Sequence, residues 1–187
     1  MNDDTNDNKQ AASDAISLLT ADHGKVKQLF QQFAVLRGET GQDDLKAELV
    51  GQICFALTVH TMIEEEIFYP AARAAIDNDD LMDEAEAEHA SAKDLINQLE
   101  GMTPDDEQYD ATVNMLSEQI EDHVSAEESD MFPKLKKAQL DIEALGLQIK
   151  ERKEEIEAEF KDSPAPGKTG ADIEAGRDKA GRGQAHS

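Results

Sequence analysis

A six-residue phrase that joins an imidazole to a carboxylate occurs twice in this chain. Its two copies are His60-Thr-Met-Ile-Glu64-Glu65 and His123-Val-Ser-Ala-Glu127-Glu128. On a helix, residues four apart share one face and lie roughly 6 Å apart along the axis, so each copy presents an imidazole beside a carboxylate. One further histidine precedes each copy, His23 before the first and His89 before the second. Together these residues can offer four imidazole nitrogens and two carboxylates to a pair of metal ions.

The four histidines fall on the apolar stripes of four different predicted helices. Burial of Glu64 and Glu127 on the same stripes would be costly without a counter-charge. A divalent cation removes that cost and accepts neutral imidazole at the same time. The alternative is a polar, hydrogen-bonded layer without metal, and the recurrence of the pattern on four helices favours the metal site.

Antiparallel packing of these helices would bring the four histidines to one level of the molecule. We expect each helical hairpin to hold one metal ion between its two histidines. The predicted pairs are His23 with His60, and His89 with His123. Glu64 and Glu127 lie one turn away from the central histidines, and we expect them to bridge the two ions.

Nitrogen and carboxylate ligands without thiolate suit iron, manganese or zinc. Two ions joined by carboxylates, with coordination positions left open, favour iron and redox chemistry. A ferritin-like di-iron bundle would need Glu-x-x-His on two helices. Glu86-x-x-His89 fits once, but Leu57 and Ile120 stand three residues before the other central histidines, so that arrangement does not fit the whole chain.

Apolar residues spaced by three and four predict an all-α chain of five helices. The predicted helices span residues 13–37, 43–76, 80–100, 104–138 and 139–160, with Ser13 capping the first and Pro104 opening the fourth. Short connections favour an antiparallel up-down-up-down four-helix bundle over residues 13–138. We expect a fifth, C-terminal helix over 139–161, which packs along the bundle or pairs with another subunit. Residues 1–12 and the Pro- and Gly-rich tail, 162–187, are predicted to be disordered.

A proline follows each repeated histidine by ten residues, as Pro70 and Pro133. Each proline removes one helical hydrogen bond, which would free the carbonyl groups of Glu66 and Ser129. Either the helix kinks just beyond each His–Glu pair, or each proline opens a separate short helix. In both cases the two segments have equivalent roles.

Composition limits the partners of this chain. Only 39% of its 187 residues are hydrophobic and 4% are aromatic, so apolar side chains form stripes rather than a thick core. Asp and Glu number 42 against 18 Lys and Arg, which gives a formal charge of −24. Such an acidic surface repels nucleic acid and anionic membranes, and neither is expected as a partner. His186 lies in the tail and is not a ligand candidate.

Cys54 is the single cysteine, so an internal disulfide is not possible. The N-terminal residues lack the pattern of a signal peptide, and no apolar run reaches the length of a membrane span. We therefore expect a cytoplasmic protein, in which Cys54 is a small buried hydrophobe rather than a redox thiol. We expect Tyr69 and Tyr109 to pack at helix ends rather than to donate hydrogen bonds to the ligands. Glu65, Glu66 and Glu128 are expected on a solvated face.

The motifs taken together resemble the hemerythrin-like family, also called the HHE cation-binding domain. The resemblance spans about residues 13–138 and rests on Asp22-His23, the segment from His60 to Pro70, His89, and the segment from His123 to Pro133. It implies a four-helix bundle with a non-haem, carboxylate-bridged di-iron centre. O2, peroxide or nitric oxide are the exogenous ligands that the family would suggest.

Two positions depart from the oxygen-carrying members of that family. Ala85 stands where they place a second histidine on the third helix, and Glu127 follows its histidine by four residues where they have Asp at five. Each iron is then left with two imidazoles, which argues against reversible O2 carriage. Glu86 is considered as an additional ligand.

We therefore predict a metal-binding protein that senses or handles iron, oxygen or oxidants such as peroxide and nitric oxide. The alternatives are an O2 carrier, a di-iron enzyme that decomposes peroxide or oxidises Fe2+, and an interaction protein without metal that uses its fifth helix. The predicted metal ligands are His23, His60, Glu64, His89, His123 and Glu127. The oligomeric state stays open.

Overall fold

A computed structural model describes residues 14–76, 78–138 and 140–162, and the secondary structure within these ranges is helical, without strands. The α-helices are α1 (Ala15–Leu36), α2 (Asp43–Ile63), α3 (Tyr69–Ala75), α4 (Asp79–Glu100), α5 (Tyr109–Ala126), α6 (Phe132–Lys137) and α7 (Ile142–Asp162). Two π-helical turns, π1 (Glu64–Phe68) and π2 (Glu127–Met131), join α2 to α3 and α5 to α6. The described chain thus forms five long helical segments, and the predicted all-α class is confirmed.

The helix ends differ from two of the predicted starts. α1 is capped by Asp14, whose carboxylate accepts a hydrogen bond of 2.9 Å from the Ser17 N–H. The predicted cap Ser13 lies outside the described residues. α5 begins at Tyr109 rather than at Pro104, because the Asp106 carboxylate accepts a 2.6 Å hydrogen bond from the Thr103 N–H and holds these residues in a turn.

Two glycines allow the sharp connection between α1 and α2. Gly38 and Gly41 have φ values of 78° and 76°, in the left-handed region that other residues rarely adopt. Lys46 of α2 is buried and binds the carboxylate of Asp110 in α5 at 3.0 Å, and that carboxylate also accepts from the Gly38 N–H. The connection is therefore held against the end of the bundle.

The order of apolar residues along each helix shows that the four main helices alternate in direction. Two apolar clusters fill the bundle: core I, which includes Phe33, Ile53, Leu99 and Leu116, and core II, which includes Leu19, Ile63, Met82 and Leu135. Each predicted ligand histidine is flanked by one residue of each core. The flanking pairs are Leu19 and Val26, Leu57 and Ile63, Ala85 and Ala92, and Ile120 and Met131. Core II comes first on α1 and α4, and core I comes first on α2 and α5. Because α1 and α4 each pack against both α2 and α5, this alternation is an up-down-up-down bundle.

The prolines follow the π turns instead of breaking the helices. Tyr69 and Phe132 donate their N–H groups to the carbonyls of Glu64 and Glu127, five residues earlier, which is the π-helical bond. Pro70 and Pro133 come next, in the first turn of α3 and α6. Of the two alternatives, the structure is nearer to a separate short helix at each proline. A π turn connects each short helix, α3 or α6, to the long helix that precedes it.

The fifth helical segment packs on the bundle. α7 lies against α1, α2 and π1, and its Leu145, Ile149 and Ile156 belong to core II. The first of the two alternatives for this helix thus holds in the described chain. The predicted disorder of residues 1–12 and of the tail falls outside the described residues, apart from Asp162, which ends α7. None of the described helices combines the length and the apolar character that crossing a membrane requires.

Candidate metal centre

The six predicted ligands lie together, between core I and core II. All of them are buried, although each is ionisable. Their exposed fractions are 0% for Glu64, 1% for Glu127 and His89, 2% for His123, 4% for His60 and 6% for His23. Six polar side chains at this depth need partners that satisfy them.

Each glutamate lies between one histidine of the first hairpin and one of the second. Oε2 of Glu64 is 3.2 Å from Nε2 of His60 and 3.3 Å from Nε2 of His89. Oε2 of Glu127 is 3.3 Å from Nε2 of His23 and 3.7 Å from Nε2 of His123. The two carboxylates therefore occupy the positions that bridging ligands would need.

The candidate ligand atoms form two compact sets, each with its atoms within 4.8 Å of one another. The first set is His23, His60, Glu64 and Glu127, and the second is Glu64, His89 and His123. The histidine pairs are the predicted ones, one pair from each hairpin. Glu127 is a member of the first set, and its Oε2 atom also lies 3.7 Å from Nε2 of His123 in the second.

A carboxylate faces the outer nitrogen of each imidazole, and three of the four are within hydrogen-bond range. The Nδ1 contacts are His23 with Glu128 at 2.8 Å, His89 with Glu65 at 3.0 Å, His123 with Glu88 at 2.8 Å and His60 with Asp22 at 3.9 Å. A carboxylate at Nδ1 selects the tautomer and turns Nε2 toward the centre, as metal-binding histidines require. Glu128 is exposed and Glu65 is half-buried, as expected of a solvated face, but each also contacts an imidazole of the centre.

The repeat itself contains the signal for these carboxylates. Glu65 and Glu128 follow the bridging glutamates directly, and each contacts the upstream histidine of the other hairpin. Asp22 and Glu88 each precede an upstream histidine directly and face the central histidine of the same hairpin. An acidic residue directly beside His23, Glu64, His89 and Glu127, at matching places in both halves, is a pattern that sequence reasoning could have used.

Tyr69 departs from the prediction that it packs at a helix end. Its hydroxyl donates a 2.9 Å hydrogen bond to Oε1 of Glu127 and lies 3.3 Å from Nε2 of His89. Burial, followed by the Glu64 and Glu127 charges, raises the pKa of Tyr69, so the phenol stays protonated. Phe132 is its counterpart in the second repeat, and this ring stacks on His23 at 5.9 Å between centroids. A hydroxyl is thus present in only one half of the centre among the described residues.

Burial and the neighbouring charges shift the pKa values of the groups in the cluster. Burial alone would lower the pKa of His23, but the neighbouring Glu127 raises it to about 9. Glu127 itself has a pKa lowered to about 2, because His23 outweighs the effect of burial. Burial and then the Glu127 charge raise the pKa of Glu64 well above 4.5. Burial lowers the pKa of His60 to about 4, which keeps this imidazole neutral.

Several buried atoms of the centre make no hydrogen bond within the described protein. They include Nε2 of His23 and of His60, Oε1 of Glu64 and Oε2 of Glu127. Two of the atoms are ring nitrogens and two are carboxylate oxygens, which is the donor set that borderline divalent metals prefer. The residues therefore fit a pair of metal ions.

Other residues considered from the sequence lie outside the cluster. Glu86 binds Arg73 at 3.1 Å on the surface, so its consideration as an additional ligand is not supported. Cys54 is buried in core I, and burial raises the pKa of its thiol to about 12, as expected of a small hydrophobe. Tyr109 packs near Phe33 in the same core. Glu66 binds Arg152 of α7 at 2.7 Å.

Two cavities adjoin the ligands. A groove of about 680 Å³ runs between α1 and α5, where His23, Gly24, Phe30, Ile120, Val124 and Glu128 are among its lining residues. A small inner cavity of about 10 Å³, room for one molecule the size of water, touches all four imidazoles. His23, Ile120 and Val124 line both spaces, so they form the wall between the groove and the centre.

Comparisons with known proteins bear on the family and the fold of this chain. Residues 14–135 match the family model described as Hemerythrin HHE cation binding domain. A crystal structure of a hemerythrin HHE cation-binding domain-containing protein from Mycobacterium kansasii shares the fold. It has a TM-score of 0.65 and 24% identity, and the likeness covers 78% of this chain and 88% of that one. A DNA nickase from Nostoc sp. is 32% identical over 116 residues, which are 62% of this chain. The match covers 31% of the nickase, so the chain spans about a third of that protein's length.

Proposed function

The chain belongs to the hemerythrin HHE cation-binding domain family, and we propose that it binds two iron ions and uses them to sense or remove small oxidants. In this proposal, His23 and His60 hold the first ion, and His89 and His123 hold the second. Glu64 and Glu127 bridge the two. The observation that carries the proposal is the position of each glutamate between histidines of different hairpins, at 3.2 to 3.7 Å from their Nε2 atoms.

Two adjacent positions joined by carboxylates support iron in this proposal. Two imidazoles with a carboxylate and open positions form the donor set that suits non-haem iron, so an exogenous ligand could complete the coordination of the ion held by His89 and His123. Bound iron would supply reversible one-electron redox chemistry at that position.

The protein's own residues would prepare the centre for a peroxide-sized ligand. Tyr69 presents a protonated hydroxyl beside His89 and can donate a hydrogen bond or a proton to a molecule bound there. Core I and core II close both sides and exclude bulk water. The groove between α1 and α5 offers the approach, since His23, Ile120 and Val124 line both the groove and the inner cavity.

Oxidant handling is favoured over reversible O2 carriage. Two imidazoles for each ion leave more positions open than an oxygen carrier needs, and Ala85 offers no further ligand. The nearby Tyr69 proton would promote the reduction of a bound oxidant rather than its release. The number of turnovers per iron pair distinguishes the two roles. Many turnovers would indicate that the oxidant is a substrate, and a single reaction would indicate that it is a signal.

Metal content and an optical spectrum test this proposal. Protein loaded anaerobically with Fe2+ should hold two ions per chain, and stoichiometric peroxide should produce ligand-to-metal absorption bands. Azide added to the oxidised protein should shift those bands, since it occupies an open position. Protein that retains no transition metal after loading, or an iron-loaded protein whose spectrum does not respond to peroxide and azide, would overturn it.

A further inference from the structure

One imidazole of the centre lacks the hydrogen bond that the other three have. The Nδ1 atoms of His23, His89 and His123 lie 2.8 to 3.0 Å from their carboxylates. His60 lies 3.9 Å from Asp22, beyond hydrogen-bond range, and its Nδ1 is buried without a partner in the described protein. A one-ångström movement of Asp22 would complete the pattern.

Asp22 is held instead by a lysine of the fifth helix. Lys153 of α7 makes a hydrogen bond and an ion pair with Oδ1 of Asp22, while Oδ2 is the oxygen that faces His60. The Asp22 side chain is only 15% exposed, so water competes weakly for it. The Asp22 carboxylate thus binds Lys153 and faces His60 without forming a hydrogen bond to it.

A second lysine provides a natural comparison. Lys93 binds both oxygens of Glu65 at 2.6 and 2.7 Å, but Glu65 still contacts Nδ1 of His89 at 3.0 Å. A lysine beside the carboxylate is therefore compatible with the imidazole contact. The missing hydrogen bond at His60 therefore depends on the position in which α7 holds Lys153, and not on the presence of a lysine alone.

The position of Lys153 is set by the packing of α7. Ile149 and Ile156, which flank it on the helix, are fully buried in core II. The adjacent Arg152 binds Glu66 in π1 at 2.7 Å, two residues after the bridging Glu64. α7 is therefore attached to the centre through both its apolar face and its charges. It also lies outside residues 14–135, which match the family model.

We propose that Lys153 is a positioning residue that holds Asp22 away from His60 and so weakens the His60 ligand of the first metal position. The effect on metal affinity rests on the proposed function. A carboxylate that accepts from Nδ1 makes the imidazole a stronger donor through Nε2, and such outer partners change metal affinity by about 10- to 100-fold. Attachment of α7 therefore favours a weaker and more easily reduced first ion, and release of Lys153 favours a tighter one.

The first test uses metal-free protein and does not depend on metal binding. Lys153→Met keeps the apolar stem and removes the charge. We expect the His60 ring signal in 1H–15N spectra to move downfield, into the range of the other three imidazoles. Lys93→Met should leave the His89 signal in place, because the Glu65 contact already exists. A His60 signal that does not move in folded Lys153→Met protein would overturn the proposal.

The second test loads the same variants with Co2+ and measures dissociation by chelator competition. We expect Lys153→Met to bind the ion of the first position, which His23 and His60 would hold, about tenfold more tightly. Lys153→Arg should behave as the parent, and Asp22→Asn should abolish the gain in the double variant. An equal gain in Lys93→Met would show a general charge effect and would contradict positioning by Lys153. If neither the parent nor any variant binds Co2+, the proposed function fails. The His60 signal in metal-free protein still tests whether Lys153 holds Asp22 away from His60.

Discussion

The hydroxyl of Tyr69 and Oε1 of Glu127 are joined by a hydrogen bond of 2.9 Å, although the two residues belong to different halves of the sequence repeat. The equivalent residue of the other half is Phe132, which stacks on His23 and offers no hydroxyl. Among the described residues, a near-symmetric set of ligands is therefore served by a tyrosine hydroxyl on one side only. This difference predicts that chemistry takes place on the His89 side.

Replacement of Tyr69 should separate metal binding from reactivity. Tyr69→Phe keeps the ring and removes the hydroxyl, so we expect two ions per chain but a peroxide reaction about 100-fold slower. Stopped-flow absorption of the iron-loaded protein measures this rate. Adding Phe132→Tyr supplies a hydroxyl on the opposite side and should not restore the rate. A Tyr69→Phe protein as fast as the parent would refute the role of the phenol.

Removal of one histidine should empty one metal position. His60→Ala and His89→Ala each remove an imidazole from a different set, and we expect the stoichiometry to fall from two ions to one. Elemental analysis after equilibrium dialysis measures this ratio. Glu86→Gln is the matched control, because Glu86 binds Arg73 away from the centre, and it should retain both ions. Loss of an ion in the Glu86 variant would revive the ferritin-like arrangement.

The carboxylates behind the imidazoles should contribute to affinity without touching the metal. Glu128→Gln weakens the 2.8 Å contact with Nδ1 of His23, and we expect the affinity of the first position to fall by 10- to 100-fold. Chelator competition measures the change. Glu118→Gln, on an exposed face of α5, removes the same charge and should have little effect. Equal losses in both variants would indicate that only net charge matters.

The stability of metal-free and metal-loaded protein should depend on pH in opposite directions. In the metal-free fold the pKa of His23 is raised from 6.5 to about 9, so its contribution is complete below pH 6.5 and is lost as pH rises through 9. The loss is on the order of 3 kcal/mol. Metal ligation needs neutral imidazole, so the loaded protein should gain stability over the same range. Melting temperatures between pH 6.5 and 9 test this, and parallel slopes would contradict it.

Sequence reasoning could predict the ligands because burial and helical period restrict them strongly. His23, His60, His89 and His123 stand on apolar stripes, and a stripe must face the core, so their convergence follows from the bundle. The pairing of Glu64 and Glu127 with histidines four residues earlier follows from the helix alone.

Contacts between different helices could not be predicted in the same way. Glu128 and His23 are 105 residues apart, and their contact depends on the rotation of α5 and α1 about their axes. Tyr69 reaches the ligands because π1 places it there, and a π turn has no reliable sequence signature beyond the proline that follows. The predicted start of α5 at Pro104 is wrong by five residues, because the Asp106 carboxylate accepts a hydrogen bond from the Thr103 N–H and competes with the helical backbone.

Each π turn contains one residue more than an α-helical turn, so π1 and π2 amount to a single-residue insertion carried at the same place in both halves of the chain. Excising that residue would rewind the helix and rotate everything after it by about 100°. Tyr69 or Phe132 would then swing out of the centre while His60 or His123 stayed. The extra residue in each half is therefore what turns Tyr69 and Phe132 toward the ligands.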